Sequence, residues 1–379
     1  MAALRPVPVG PGRAALALLP DLTAVLEGRA PALLPLAPHT PPAPELRAGA
    51  PVDDDIALVV PTSGTTGAPK GALLSAAALT ASATATHARL GGPGRWLLAL
   101  PAHHIAGLQV LVRSVLAGTV PVALDVSAGF DVAALTAAVA EMGSGRRYVA
   151  LVAAQLAKAL VDPGGRAALA GLDAVLVGGG PLPAPVRAAA EAAGVPVVRS
   201  YGMSETAGGC VYDGVPLDGV RLRLAADGRI TIGGPTLARG YRNPPSPDPF
   251  AEPGWFLTDD VGALDDSGRL RVLGRVDDAI STGGLTVLPQ LVEAALADHS
   301  GVADVAVFGV PDDRLGQRVV AAVVPTAGQP PPTLAGLRAH LAGLLDATAA
   351  PRELHLLEAL PRRGIGKVDR AALIRRFGG

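Results

Sequence analysis

From Ile56 onward, short aliphatic runs alternate with Gly-rich turns and Ala/Leu-rich stretches, and this alternation leaves the chain few possible architectures. Segments 56–60, 120–124, 174–177 and 195–198 read as strands, and 75–89, 130–141 and 185–193 as helices. Near-continuous aliphatic strands interleaved with helices imply an α/β body whose mostly parallel sheets are flanked by helices. From Val220 the runs become shorter and closer (220–224, 229–232, 270–273), which predicts a small β subdomain. Past Asp278 the pattern turns α+β: helix 290–299, strands 302–308 and 319–324, helix 334–345 and a strand near 353–357. The expected division is a large body over 1–277 and a small α+β C-terminal domain over 278–379.

The 379 residues suffice for two or three domains with a substantial core. A net charge of −1 without a basic stripe argues against a nucleic-acid partner. Hydrophobic residues make up 49% but are dispersed, with no run of about 18 apolar residues, so no membrane span is expected. Arg5, Pro6, Pro8, Pro11 and Arg13 interrupt the first turns of the chain and argue against a signal peptide. Cys210 is the only cysteine, which excludes an intrachain disulfide and a Cys-based metal site and fits a cytoplasmic location.

Residues 62–71 read Thr-Ser-Gly-Thr-Thr-Gly-Ala-Pro-Lys-Gly. Ser63, Thr65 and Thr66 offer hydroxyls, Gly64 and Gly67 let the backbone turn and expose its N–H groups, and Lys70 adds a point charge. That set of groups grips a polyphosphate. It is not a Walker A loop, since two residues separate Gly64 from Gly67 and Gly71 follows Lys70. The run is expected to join the strand at 56–60 directly to the helix at 75–89.

The run resembles the phosphate-binding signature of adenylate-forming enzymes, the superfamily of acyl-CoA synthetases and peptide-synthetase adenylation domains, and the same order of motifs continues to the C-terminus. The resemblance implies that Thr62, Ser63, Gly64, Thr65, Thr66, Gly67 and Lys70 hold ATP phosphates. Gly178, Gly179 and Gly180 would close a second turn at the nucleotide, after a strand. Tyr201-Gly202-Met203-Ser204-Glu205-Thr206 matches the family's Tyr-Gly-x-Thr-Glu, with serine in the threonine place. By that match Tyr201 stacks on adenine against Gly202, Ser204 donates to the α-phosphate, and Glu205 supplies an oxygen ligand for Mg²⁺. Thr258-Asp259-Asp260 resembles the ribose motif Thr-Gly-Asp, with Asp259 replacing glycine and Asp260 taking the hydroxyls. Gly274-Arg275-Val276-Asp277-Asp278 resembles the interdomain junction, with Arg275 on the ribose and Asp278 as the hinge. Gly283 and Gly284 would admit the pantetheine arm of CoA. Gly364-Ile365-Gly366-Lys367 resembles the mobile catalytic lysine loop, which would bring Lys367 onto the developing charge.

The acid pocket is read from 101–113. His104 before Ile105-Ala106-Gly107 matches the family's gate, and Arg113 falls nine residues later in a Val/Leu run, where an arginine needs an anion or another partner. The stretch resembles that of o-succinylbenzoate–CoA ligases of menaquinone biosynthesis, in which the cognate arginine holds the aromatic carboxylate. About sixty residues precede the phosphate run, where the superfamily usually has well over a hundred. This resembles the compact actinobacterial type and implies a reduced N-terminal part. The implied activity is ATP-dependent, AMP-forming activation of a small-molecule acid and its transfer to CoA. A ligase for another aryl or acyl acid, a carrier-protein-loading adenylation domain and a homo-oligomeric assembly stay open at this point. Retention of Lys367, Glu205 and Asp260 together argues against a catalytically silent module.

Overall fold

The computed structural model describes residues 2–62, 69–363 and 367–378. A seven-stranded sheet forms the centre of the body, in the order Val215–Pro216, Gly208–Tyr212, Val197–Met203, Ala174–Gly178, Arg147–Val152, Arg95–Leu98, Val122–Ala123. From Val197–Met203 to Val122–Ala123 all neighbours are parallel, and the two strands at the other edge are antiparallel. Its strands bury both faces, which explains their continuous aliphatic runs. Trp96, Leu98, Tyr148 and Ala150 face one core with the helices Ala76–Arg89 and Ile105–Leu116. Leu97, Val149, Leu151 and Val175 face a second core with the helices Val132–Glu141, Ala153–Val161 and Pro163–Ala170. The period of two along each strand assigns each residue to its core.

A second sheet runs Arg5–Pro8, Leu33–Leu36, Ile56–Thr62, Lys70–Ser75. Arg5–Pro8 is its edge, with Arg5 N–H donating to the Ala32 carbonyl at 2.9 Å and Val9 N–H to Leu36 at 2.8 Å. Here the sequence expectation needs correction. Lys70–Ser75 is a strand antiparallel to Ile56–Thr62, and the helix starts only at Ala76, where the Ser75 hydroxyl caps Ala78 N–H at 3.1 Å. The phosphate run therefore joins two paired strands. Buried Ala72 and Leu74 alternate toward the core, a strand pattern too short to stand out in the sequence.

The small β subdomain is a four-stranded antiparallel sheet, Arg221–Leu224, Arg229–Gly233, Trp255–Leu264, Leu270–Arg275. In the C-terminal domain, Leu285–Val287, Ile280–Thr282, Gly316–Pro325 and Val302–Asp312 form a sheet, and Glu353–Leu356 pairs parallel to Gly316–Pro325. Val305 and Val307 face helices Pro289–Leu296 and Leu334–Leu341, while Ala306 and Phe308 face helix Arg370–Phe377. Among the described residues no helix is long and apolar enough to cross a membrane.

Candidate active site

The carboxyl ends of the parallel strands and the turns that follow them gather the polar groups, as an open α/β sheet dictates. Thr62 and Lys70 are partners in the strand pair, and Thr62 Oγ1 donates to the Lys70 carbonyl at 3.3 Å. Asn243 braces the same place: its Oδ1 accepts from Gly71 N–H at 3.1 Å and its Nδ2 donates to the Pro69 carbonyl at 2.9 Å. Lys70 Nζ lies 5.3 Å over the Tyr241 ring. Ser63, Gly64, Thr65, Thr66 and Gly67 lie outside the described residues.

Tyr241 leads to Glu205. Its phenol donates to Glu205 Oε1 at 2.7 Å. Burial pushes the Glu205 carboxyl up, and the Tyr241 bond with the charges of Lys70 and Arg275 opposes that push. Ser204, Glu205 and Thr206 form one 3₁₀ turn, and Thr206 Oγ1 accepts from Met203 N–H at 3.0 Å. The turn ends at Ala207, whose φ of +51° is strained for a side-chain-bearing residue. Two buried bonds to the Ala207 carbonyl hold it there, from Ser82 Oγ at 2.8 Å and Gln109 Nε2 at 2.7 Å.

The strand carrying Tyr201 extends to Met203, beyond the expected end at 198, and the chain returns antiparallel over Gly208–Tyr212. Gly202 permits this tight return, because a Cβ there would collide with the Gly208 carbonyl. Tyr201 Oη donates to Asp260 Oδ2 at 2.7 Å. Asp260 Oδ1 faces Arg275 Nη1 at 3.3 Å, while Arg275 grips Asp277 with two bonds of 2.8 Å and lies 3.6 Å from Asp259. Burial works against the Arg275 charge, but Asp277, Asp260 and Asp259 outweigh it and hold the group above its usual range. Burial raises Asp260, and Tyr201 and Arg275 pull it back. Gly178 packs against Ser200 beside this strand, and Gly179 takes a φ of +78° in the turn toward Gly180.

His104 occupies the N-cap position of the helix Ile105–Leu116, and its ring lies 4.3 Å from that of His103, tilted by 48°. His104 is exposed at the surface, but desolvation by the protein around it, with the charges of His103 and Lys367, pushes its pKa down to about 4. Lys367 of the C-terminal domain is thus within electrostatic reach of His104. It stands exposed on a two-stranded hairpin, paired with Arg363, and Gly364 and Gly366 lie outside the described residues. Three residues on, Arg370 contacts Asp278 at 3.3 Å and pairs with Glu293, so the helix after the lysine and the junction share a salt-bridge network. Gly283 and Gly284 form the two-residue turn between Ile280–Thr282 and Leu285–Val287, with φ of +59° and +81°, as such hairpins require.

Arg113 is buried on the same helix as His104, 3% exposed. Its guanidinium lies 4.9 Å over the Trp96 ring, and Nη2 donates to Tyr212 Oη at 3.4 Å. Its Nε has no partner, and no carboxylate lies within ion-pair distance of it among the described residues. Tyr241, Asn243, Gln109, Trp96 and Tyr212, which contact these groups, were not among the residues expected from the sequence. All but Trp96 act on a residue far along the chain, and none belongs to a spaced motif.

Residues 17–242 match the AMP-binding enzyme family and residues 291–367 its C-terminal domain, so the chain belongs to that family. It is 69% identical over 379 residues to a probable 2-succinylbenzoate–CoA ligase of Mycobacterium tuberculosis, covering 99% of each chain. A 2-succinylbenzoate–CoA ligase of Geobacillus is 33% identical over 344 residues, 84% of this chain and 69% of the relative. Among solved structures, o-succinylbenzoate CoA synthetase (MenE) from Bacillus subtilis, in complex with the acyl-adenylate intermediate OSB-AMP, is similar with a TM-score of 0.76 and 26% identity over 98% of this chain and 88% of that one.

Proposed function

We propose that this chain is an AMP-forming 2-succinylbenzoate–CoA ligase of menaquinone biosynthesis, acting in the cytoplasm. In the first step the succinyl carboxylate attacks the α-phosphorus of ATP and pyrophosphate leaves. In the second the CoA thiol attacks the carbonyl of the mixed anhydride and AMP leaves. Activation is needed because a carboxylate is a poor electrophile. Asp260, oriented by Tyr201, takes the ribose hydroxyls with Arg275 beside it, and the Tyr201 face lies against adenine. Lys70 and the run from Thr62 to Gly67 hold phosphates with the turn at Gly178–Gly180, and Ser204 donates to the α-phosphate. Lys367 enters near His104 and balances charge developing between the carboxylate and that phosphate. Gly283 and Gly284, with no side chain in the way, line the approach of the pantetheine arm.

Mg²⁺ fits this site. No group of three or more His, Cys, Asp or Glu side chains gathers among the described residues, and Glu205 offers one buried carboxylate with a single oxygen engaged by Tyr241. Mg²⁺ bound with nucleotide takes most of its ligands from phosphates and water, so one carboxylate suffices. When bound it neutralises phosphate charge.

The observation that carries the choice of acid is Arg113, a buried cation without an acidic partner among the described residues, on the helix that His104 begins. A second carboxylate, on the aromatic ring and not consumed, satisfies it. The test is pyrophosphate release over a panel of acids with and without CoA. Greatest activity with 2-succinylbenzoate and thioester formation with CoA are expected. Preference for a monoacid overturns the assignment, and release unaffected by CoA with acyl transfer to a carrier protein moves the chain to the carrier-loading class.

A further inference from the structure

Three elements converge on Arg113, and among the described residues none brings it an ion-pair partner. Helix Ala76–Arg89 supplies Thr86 and His87, strand Arg95–Leu98 supplies Trp96, and strand Gly208–Tyr212 supplies Tyr212. Arg275 lies among Asp259, Asp260 and Asp277, and Arg370 between Asp278 and Glu293, while the half-buried Arg89 and Arg242 donate to backbone carbonyls. A buried guanidinium without an acid costs free energy unless something neutral stabilises it.

Two neutral groups do so. The Trp96 ring offers its negative face at 4.9 Å, and a cation over tryptophan is the strongest of the aromatic pairings. The ring cannot swing away. Tyr148 lies behind it at 5.1 Å, and its indole N–H points at His87 Nε2 at 3.4 Å. His87 can accept because burial and the Arg113 charge keep it neutral. The second group is Tyr212 Oη, which accepts from Arg113 Nη2 at 3.4 Å and lies 2.9 Å from Thr86 Oγ1. Either hydroxyl of the Tyr212–Thr86 pair can be the donor, so Thr86 anchors the phenol in both arrangements. A bond of 3.4 Å is weak and exchanges readily for a charge-assisted bond to a carboxylate.

We propose that Trp96 and Tyr212 are positioning residues that hold Arg113 in its acid-receiving pose before the acid arrives, with its buried, unpartnered Nε–H the group that the ring carboxylate would satisfy. This rests on the assignment of Arg113 to that carboxylate. It makes selectivity for the diacid a property of Arg113, Trp96 and Tyr212 together instead of Arg113 alone. A receptor held in place loses less freedom on binding than one that must be ordered by its ligand.

The test compares 2-succinylbenzoate with 3-benzoylpropionate, the same molecule without the ring carboxylate, on wild type, Tyr212→Phe, Trp96→Phe, Trp96→Leu and Arg113→Ala. For Tyr212→Phe, discrimination in kcat/KM falls roughly tenfold, the scale of one hydrogen bond to a charged group, and the loss appears in KM for the diacid. Trp96→Phe keeps an aromatic face and most of the discrimination, whereas Trp96→Leu loses it. Should Trp96→Leu fail to fold, Tyr212→Phe, which removes a single oxygen, decides alone. Proportional loss for both acids means a merely structural role and overturns the proposal. If Arg113→Ala erases discrimination while the Tyr212 and Trp96 variants keep it, the proposal alone fails. If Arg113→Ala keeps discrimination, the assignment of Arg113 fails and the proposal with it.

Discussion

Tyr201 and Asp260 are joined by a 2.7 Å bond in which the phenol donates to Oδ2, so the strand proposed to present a face to adenine also orients the carboxylate proposed for the ribose. The bond favours the charged form of an acid that burial otherwise raises. Tyr201→Phe therefore lets the Asp260 pKa climb further. KM for ATP is expected to rise about tenfold, more steeply as pH falls toward the carboxylate range, with KM for the acid much less affected. Equal change in both constants in steady-state kinetics from pH 5 to 8 would contradict this.

Lys367→Ala should abolish adenylation and spare thioester formation from presynthesised acyl-adenylate. The expected loss in the first half-reaction is about 10²–10³-fold or more, the effect of removing one preorganised charge. Single-turnover assays of each half-reaction separate the two, and an equal fall in both would deny the lysine a role specific to the first step.

Arg113→Ala should raise KM for 2-succinylbenzoate steeply and leave that for ATP nearly unchanged. Truncating one side of a bidentate arginine–carboxylate contact in a partly dry pocket costs roughly 2–4 kcal/mol. Arg113→Lys should recover only part, since an ammonium lacks the planar fork. A variant series that shifts ATP as strongly as the acid would place Arg113 elsewhere.

His87 gives the protein an acid limb. Burial, with the Arg113 charge, pushes its pKa down to about 4 from an unfolded value of 6.5. Between those values the unfolded chain holds the extra proton, so stability is fully present above pH 6.5 and is lost as pH falls toward 4. The slope is at most about 1.4 kcal/mol per pH unit. His87→Gln keeps an acceptor for Trp96 without titrating and should flatten this limb in urea melts. An unchanged limb would mean that His87 is already charged in the folded state.

A protease offered the native enzyme should cut near Asp277-Asp278, and ATP with acid should change the rate. The reason is that Asp278 is held from the C-terminal side, by Gln290 at 2.6 Å and Arg370 at 3.3 Å, while Asp277 is held from the body side by Arg275. Stable fragments from cleavage only elsewhere would move the boundary.

The parallel sheet was legible because buried strands must be aliphatic, and the α+β change after Asp278 because its runs alternate differently. The run Tyr201 to Glu205 stands out in the sequence as a local motif, and the structure brings Tyr201 to Asp260. The strand Lys70–Ser75 was not, since its alternation is short and leads straight into an alanine-rich helix. Tyr241 was invisible because its bond to Glu205 spans 36 residues and leaves no local pattern. The positive φ of Ala207 was equally hidden, because its cause is a pair of hydrogen bonds from Ser82 and Gln109 on other helices.

The edge strand Arg5–Pro8 bears on how the molecule behaves in a crowd. Arg5 and Val9 turn their N–H groups inward to Ala32 and Leu36, and two of the intervening positions are Pro6 and Pro8. Those positions face outward along the edge, where another chain would dock, and proline has no hydrogen to give. An open sheet margin normally invites a stranger's backbone to continue the ladder. Here the invitation lacks its donors, and the sheet that carries the phosphate run stays closed to strand addition from its own exposed side.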